Sequence, residues 1–168
     1  MMKKTLRLRA LDVAIKEIGV KEHPPNSNWG PKVRQYLAAA GWSTPAPWCA
    51  AFVCWCYRQA GRKLTFPNRA SVGFFLAWAQ KNGREVKLPM RGDLVCYRWG
   101  SDSWPDHIGF VEKTRIIRWL GGRFVGYVVT VEGNTAVGND ANGGKVMRRR
   151  RWHSNCSYVR LYPVGEPR

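Results

Sequence analysis

Acidic residues are scarce in this sequence: eleven Asp and Glu stand against 28 Lys and Arg, a formal net charge of +17. A surface so short of negative charge should collect polyanions, whether nucleic acid, anionic lipid or the acidic polymers of a bacterial envelope. No run of about 18 apolar residues occurs, so no transmembrane helix and no stable membrane insertion is expected. Internal repeats are absent and the only low-complexity stretch is Arg148 to Arg151. Collagen-like and disordered descriptions of the whole are excluded. Cysteine is limited to Cys49, Cys54, Cys56, Cys96 and Cys156, an odd number without framework spacing. That argues against a disulfide scaffold and for reduced thiols. No CxxC or HxxxH pair accompanies Cys54 and Cys56, so no zinc site is expected.

What is present fits one domain. The chain has 168 residues, 45% of them hydrophobic and 23% charged, which is the balance of a globular protein large enough to hold together without disulfides or metals. Met1-Met2-Lys3-Lys4-Thr5 begins like the basic part of a signal peptide, but Arg7, Arg9 and Asp12 interrupt the apolar stretch that must follow. The expectation is a protein made and held in the cytoplasm unless another machine exports it.

The first half reads as helices. Leu8, Leu11, Ile15 and Ile18 recur at helical spacing before Gly19. Pro31 suits the first turn of a second helix, which carries Val33, Tyr36 and Leu37 and ends near Gly41. Trp48 to Gly61 is apolar on every side until Arg58, the pattern of a helix buried in the centre of a domain. Ser71 is placed to cap a fourth helix running to Gly83. After residue 90 the period changes: Asp93–Arg98, His107–Lys113, Phe124–Glu132, Lys145–Arg150 and Tyr158–Tyr162 read as strands separated by Gly and Asn turns. Helices first and strands second predict an α+β fold with an antiparallel sheet.

Three places carry candidate chemistry. Cys49 follows Pro47 and Trp48 in the first turn of the central helix, beside unsatisfied N–H groups and the positive end of the helix dipole, which favour thiolate. Cys54 and Cys56 lie deeper and read as packing. His107 opens a strand, and Gly109 two residues on leaves space on the same face for a backbone or a substrate. His23 and His153 read as solvated. Glu132 and Asn134, at the end of another strand, share a face in extended chain, and either could fix an imidazole in one orientation. The alternative is that Gly133-Asn134 is simply a turn.

Together these residues resemble the CHAP family, cysteine- and histidine-dependent amidohydrolases and peptidases grouped with NlpC/P60 enzymes among papain-like folds. The resemblance rests on Pro47-Trp48-Cys49-Ala50-Ala51-Phe52-Val53, Arg91-Gly92-Asp93-Leu94-Val95, Asp106-His107-Ile108-Gly109-Phe110-Val111 and Glu132-Gly133-Asn134-Thr135, in the family's order. It covers roughly residues 10–162. It implies a catalytic domain spanning 1–168, with no separate wall-binding domain, whose N-terminal helices pack on the antiparallel sheet.

The resemblance also implies roles. Cys49 attacks an amide carbonyl, with its backbone N–H as an oxyanion donor, and His107 accepts the thiol proton and returns it to the leaving amine. Glu132 orients His107, and Asn134 shapes the site or shares that task. Trp48 is a groove wall or a packing residue. Some members bind calcium through an acidic loop ahead of the catalytic helix. Here Asn26, Ser27 and Asn28 stand in that stretch with no aspartate, so neither calcium nor any other cofactor is expected. The implied substrate is bacterial peptidoglycan, cut either between N-acetylmuramic acid and L-alanine or within the stem or cross-bridge. The implied setting is a phage endolysin, monomeric, waiting in the host cytoplasm until a holin opens the membrane.

The positive charge fits attraction to anionic wall polymers. Arg148 to Arg151 are read as an anchor to them or as a solvated edge strand. A secreted wall-degrading toxin would use the same chemistry. A nucleic-acid-binding protein would account for the charge but would have no need of Cys49 and His107, so nucleic acid is not the expected partner.

Overall fold

A computed structural model describes residues 4–66, 69–101, 103–120, 123–138 and 142–162. Four helices, α1 (Leu6–Lys16), α2 (Pro31–Ala40), α3 (Cys49–Gln59) and α4 (Val72–Lys81), precede six strands. The strands are β1 (Glu85–Val86), β2 (Leu94–Tyr97), β3 (His107–Leu120), β4 (Arg123–Thr135), β5 (Lys145–Trp152) and β6 (Cys156–Val159). They form one antiparallel sheet in the order β1-β6-β2-β3-β4-β5. The architecture is α+β, as the change of period after residue 90 implies.

The helix ends follow local chemistry. Pro31 starts α2 where a missing N–H costs nothing, and Gly41 ends it in the left-handed region. Ser71 occupies the N-cap of α4, but its hydroxyl makes no capping hydrogen bond. Helix α3 is buried from Cys49 to Tyr57, as expected of a segment with no polar face. Tyr36 of α2 packs against Trp48, Phe52 and Trp55, with ring centroids 5.1–5.4 Å apart. Each such buried aromatic contributes roughly 1.5–3 kcal/mol of transfer free energy, so α2 and α3 are held as one block.

The sheet has two buried faces. Leu94, Cys96, Ile108, Phe110 and Val131 join the helices in the main core, while Val95, Tyr97, Val111, Val128 and Tyr158 form a second cluster. By strand alternation, His107 and Glu132 belong to the second face. The last strand runs Cys156–Val159 rather than Tyr158–Tyr162, and β1 has only two residues, too few for a periodic signal.

Arg91-Gly92-Asp93 serves to join α1 to the sheet. Asp93 is buried and accepts from Arg7 of α1 at 3.3 Å, from Arg160 at 3.0 and 2.7 Å, and from the Met90 N–H at 2.8 Å. Two guanidinium groups and a backbone donor satisfy a carboxylate that would otherwise be costly to bury.

Candidate functional site

Cys49 opens α3 and His107 opens β3, and the two side chains interact. Both side chains are buried. His107 Nε2 lies 3.1 Å from Glu132 Oε2, and both groups are fully shielded from solvent. With Nε2 committed to the carboxylate, Nδ1 is the ring nitrogen left over. It is buried and holds no hydrogen bond. Burial alone would lower the His107 pKa, but interaction with Cys49 and with Glu132 outweighs it and pushes the pKa up to about 9. All five cysteines are free; burial pushes Cys54 up to about 12 and raises Cys56 and Cys96 as well, so these three are packing groups.

The space beside the imidazole that Gly109 leaves is taken by Glu132. Gly109 and Glu132 are direct partners across β3 and β4, and a Cβ on Gly109 would come within 2.6 Å of Glu132 Cγ. The absent side chain is what lets the carboxylate cross to His107. Gly133 plays the matching part towards the helix layer: a Cβ there would meet Phe52 and Trp48 at 2.8 Å. These two glycines let β4 press against both its neighbour strand and α3.

Glu132 has more partners than the sequence reveals. Arg151 of β5 donates to it twice, Nε to Oε1 at 3.1 Å and Nη2 to Oε2 at 2.7 Å, and the Thr130 hydroxyl donates to Oε1 at 2.5 Å. Burial would raise the carboxyl pKa, yet the His107 and Arg151 contacts lower it to about 2. Trp99 stacks on His107 with centroids 5.4 Å apart, and the Arg151 guanidinium lies 5.0 Å from the Trp99 ring and 5.7 Å from Tyr97. The Trp99 and Gly100 N–H groups both donate to Asp106, at 2.6 and 3.1 Å, which ties the preceding loop to the start of β3. Tryptophan, arginine and histidine thus form a layered stack over a buried carboxylate.

Asn134 lies apart from the imidazole. At φ +59° it leaves extended geometry, so it does not continue the face of Glu132. Its amide donates to Asn142 Oδ1 at 3.1 Å and its Oδ1 accepts from the Gly144 N–H at 3.4 Å, holding the turn before β5. Among the described hydrogen bonds, Glu132 makes the contact with His107 and Asn134 does not.

Trp48 requires a correction. It is 0% exposed, packs on Tyr36 and Phe52, and donates its indole N–H to buried Glu22 at 2.8 Å. A side chain so enclosed is a core residue and not a groove wall. The arginine run also differs from a free patch. Arg148 grips Glu112 at 2.6 and 3.1 Å, Arg150 lies 3.9 Å from the Tyr127 ring, and Arg151 belongs to the site. β5 is nonetheless an edge strand. His23 is exposed, whereas His153 is half-buried, stacked on Tyr158 with Nδ1 3.0 Å from its hydroxyl.

The loop between α1 and α2, which holds His23 to Trp29, does not suit calcium. It offers one orphaned oxygen, Asn28 Oδ1, and one buried carboxylate, Glu22, which holds the Trp48 indole. A calcium ion takes about six to eight oxygens, several from carboxylates, and this set falls short. Among the described residues no group of three or more His, Cys, Asp and Glu could hold a metal ion. No helix among them is long and apolar enough to cross a membrane.

The α+β domain holds a helix-start cysteine and a strand-start histidine, the residue types that nucleophilic attack on an amide requires. The family model for the CHAP domain matches residues 40–134, more than half of the chain, and the chain belongs to the CHAP family. That span takes in Cys49, His107, Glu132 and Asn134 but stops short of β5, so Arg151 lies outside it. No curated protein and no solved structure matches the chain.

Proposed function

We propose that this chain is a cysteine-dependent peptidoglycan hydrolase, acting as an N-acetylmuramoyl-L-alanine amidase or a stem or cross-bridge endopeptidase in the manner of a phage endolysin. One observation carries the mechanism: Nε2 of buried His107 is held by Glu132, which leaves Nδ1 without a partner on the ring that Cys49 acts upon.

With the Cys49 proton held on Nδ1 of the imidazolium, the sulfur attacks the amide carbonyl carbon. Negative charge moves to the carbonyl oxygen. The Cys49 N–H, first in α3 and without an intrahelical acceptor, is placed to stabilise it. Collapse breaks the C–N bond, the imidazolium gives its proton to the leaving amine, and a thioester remains. Water attacks the thioester while His107 takes a proton, and return of that proton to sulfur restores the thiol. Glu132 stays ionised throughout, stabilising the imidazolium.

The wall as substrate is supported by family membership and by the net charge of +17, which suits an anionic polymer. Digestion of purified peptidoglycan followed by mass spectrometry tests it. Fragments with a free N-terminal alanine make the protein an amidase, and new termini within the stem or bridge make it an endopeptidase. Intact peptidoglycan across several wall types would overturn the reading.

A further inference from the structure

A cleft of about 580 Å³ opens beside the start of α3, between the end of α2, the loop after it and the start of α4. Pro47, two residues ahead of Cys49, is part of its wall, and Trp42 and Phe74 line it while each remains 46% exposed. Trp104 braces Phe74. Its ring stands edge-on to Phe74 at 5.7 Å, and it covers Gly73 so closely that a Cβ there would fall 1.9 Å from the indole.

Among the described residues, Arg69 is the charged side chain of this lining. Its Nη1 is anchored to the Phe66 carbonyl at 3.0 Å. Its Nη2 lies over Gly41, 3.5 Å from where a Cβ would stand. Nε is buried without a hydrogen-bond partner. Elsewhere Arg7, Arg148, Arg151 and Arg160 each hold a carboxylate, whereas among the described residues no acidic side chain pairs with Arg69. A guanidinium anchored at one nitrogen and open at another, set among aromatic and apolar walls, is matched in charge and shape by a carboxylate.

We propose that this cleft is a specificity pocket for a free carboxylate of the stem peptide, held by Arg69 while Trp42 and Phe74 cover the adjoining aliphatic chain. The assignment rests on the peptidoglycan reading of the Cys49 site and adds the group recognised beside the scissile amide. Stem peptides carry such carboxylates along the chain, at γ-linked glutamate or a diamino acid, and at the C-terminus. The chemistry is shared, and the experiment separates the positions.

Synthetic stem peptides are prepared with each carboxylate in turn converted to the primary amide, and their binding to the Cys49→Ala protein is measured by calorimetry. Amidation at one position should weaken binding about tenfold or more, as loss of a charge-assisted hydrogen bond does. Adding Arg69→Gln should abolish the difference between the acid and the amide, and Arg69→Lys should keep part of it. Equal binding of every amidated peptide would overturn the proposal, and so would an unchanged preference in Arg69→Gln. The amidation series leaves Arg69 in place, so it decides the matter even where Arg69→Gln unfolds. Binding does not depend on cleavage. An intact wall alongside an Arg69-dependent acid preference would count against the hydrolase reading alone, and cleavage without that preference would count against the pocket alone.

Discussion

Arg151 reaches Glu132 from the edge strand of the sheet and grips it with two hydrogen bonds, at 3.1 and 2.7 Å. The side chain of Glu132 is fully buried and that of Arg151 is 10% exposed, so the pair acts where water screens little. His107 therefore meets a carboxylate already fixed in position and kept ionised. Removing Arg151 should damage both stability and activity. For Arg151→Gln we expect a loss of roughly 3–5 kcal/mol, the cost of breaking a buried ion pair, read as a lower urea midpoint. A midpoint equal to wild type would show that Glu132 is held without it.

The pH dependence follows from the two coupled groups. His107 is raised to about 9, so its share of stability is complete below the ordinary imidazole pKa of about 6.5 and is lost as pH rises through about 9. Glu132 is lowered to about 2, so its share is present above about 4.3 and is lost only as pH falls through about 2. Loss of the imidazolium proton removes the acid that serves the leaving amine, so kcat/KM should decline above pH 9. Glu132→Gln removes one of the interactions that raise the imidazole, and the alkaline limb should move to lower pH. A rate profile whose alkaline limb is unmoved by Glu132→Gln would contradict this coupling.

Gly109→Ala tests the crossing of Glu132 to His107. The new methyl group would stand 2.6 Å from Glu132 Cγ, so the carboxylate must shift or the strands must part. Overpacking of this kind costs about 1–3 kcal/mol. The expected readout is a fall in kcat greater than the loss of stability explains at a temperature where the variant is folded. Wild-type kcat would show that the carboxylate has room to spare.

Asp93→Asn separates support from chemistry. Two guanidinium groups surround this buried carboxylate away from the imidazole, and neutralising it should destabilise the fold by roughly 3 kcal/mol or more. The pH profile of the folded fraction should match wild type, whereas a displaced alkaline limb would place Asp93 in the catalytic network.

Much of this was legible in the residues alone. Helix α3 has no polar face, α2 is bracketed by Pro31 and Gly41, and Cys49 and His107 each begin an element. Arg151 was not legible, because the pairing register sets it opposite Val128, four positions from Glu132, and a long side chain bridges that gap. Within four consecutive arginines, sequence shows a charged patch and not which member turns inward. For Asn134 the sequence left a turn and a place beside the imidazole both open, because alternation does not reveal the positive φ that takes it off the face of Glu132. Trp48 could be read as groove wall or packing, and the sequence does not decide because Tyr36 and Glu22, which enclose it, are distant in sequence. Trp99 gave no signal, since its stacking on His107 depends on the loop tied down by Asp106.

The central claim is that the Cys49 sulfur is the nucleophile. Release of new amino groups from purified peptidoglycan by wild type and by Cys49→Ala, each shown to be folded, measures this directly. Loss of the nucleophile should slow release by about a thousandfold or more. Release by Cys49→Ala within a few fold of wild type would mean that the chemistry belongs to another group.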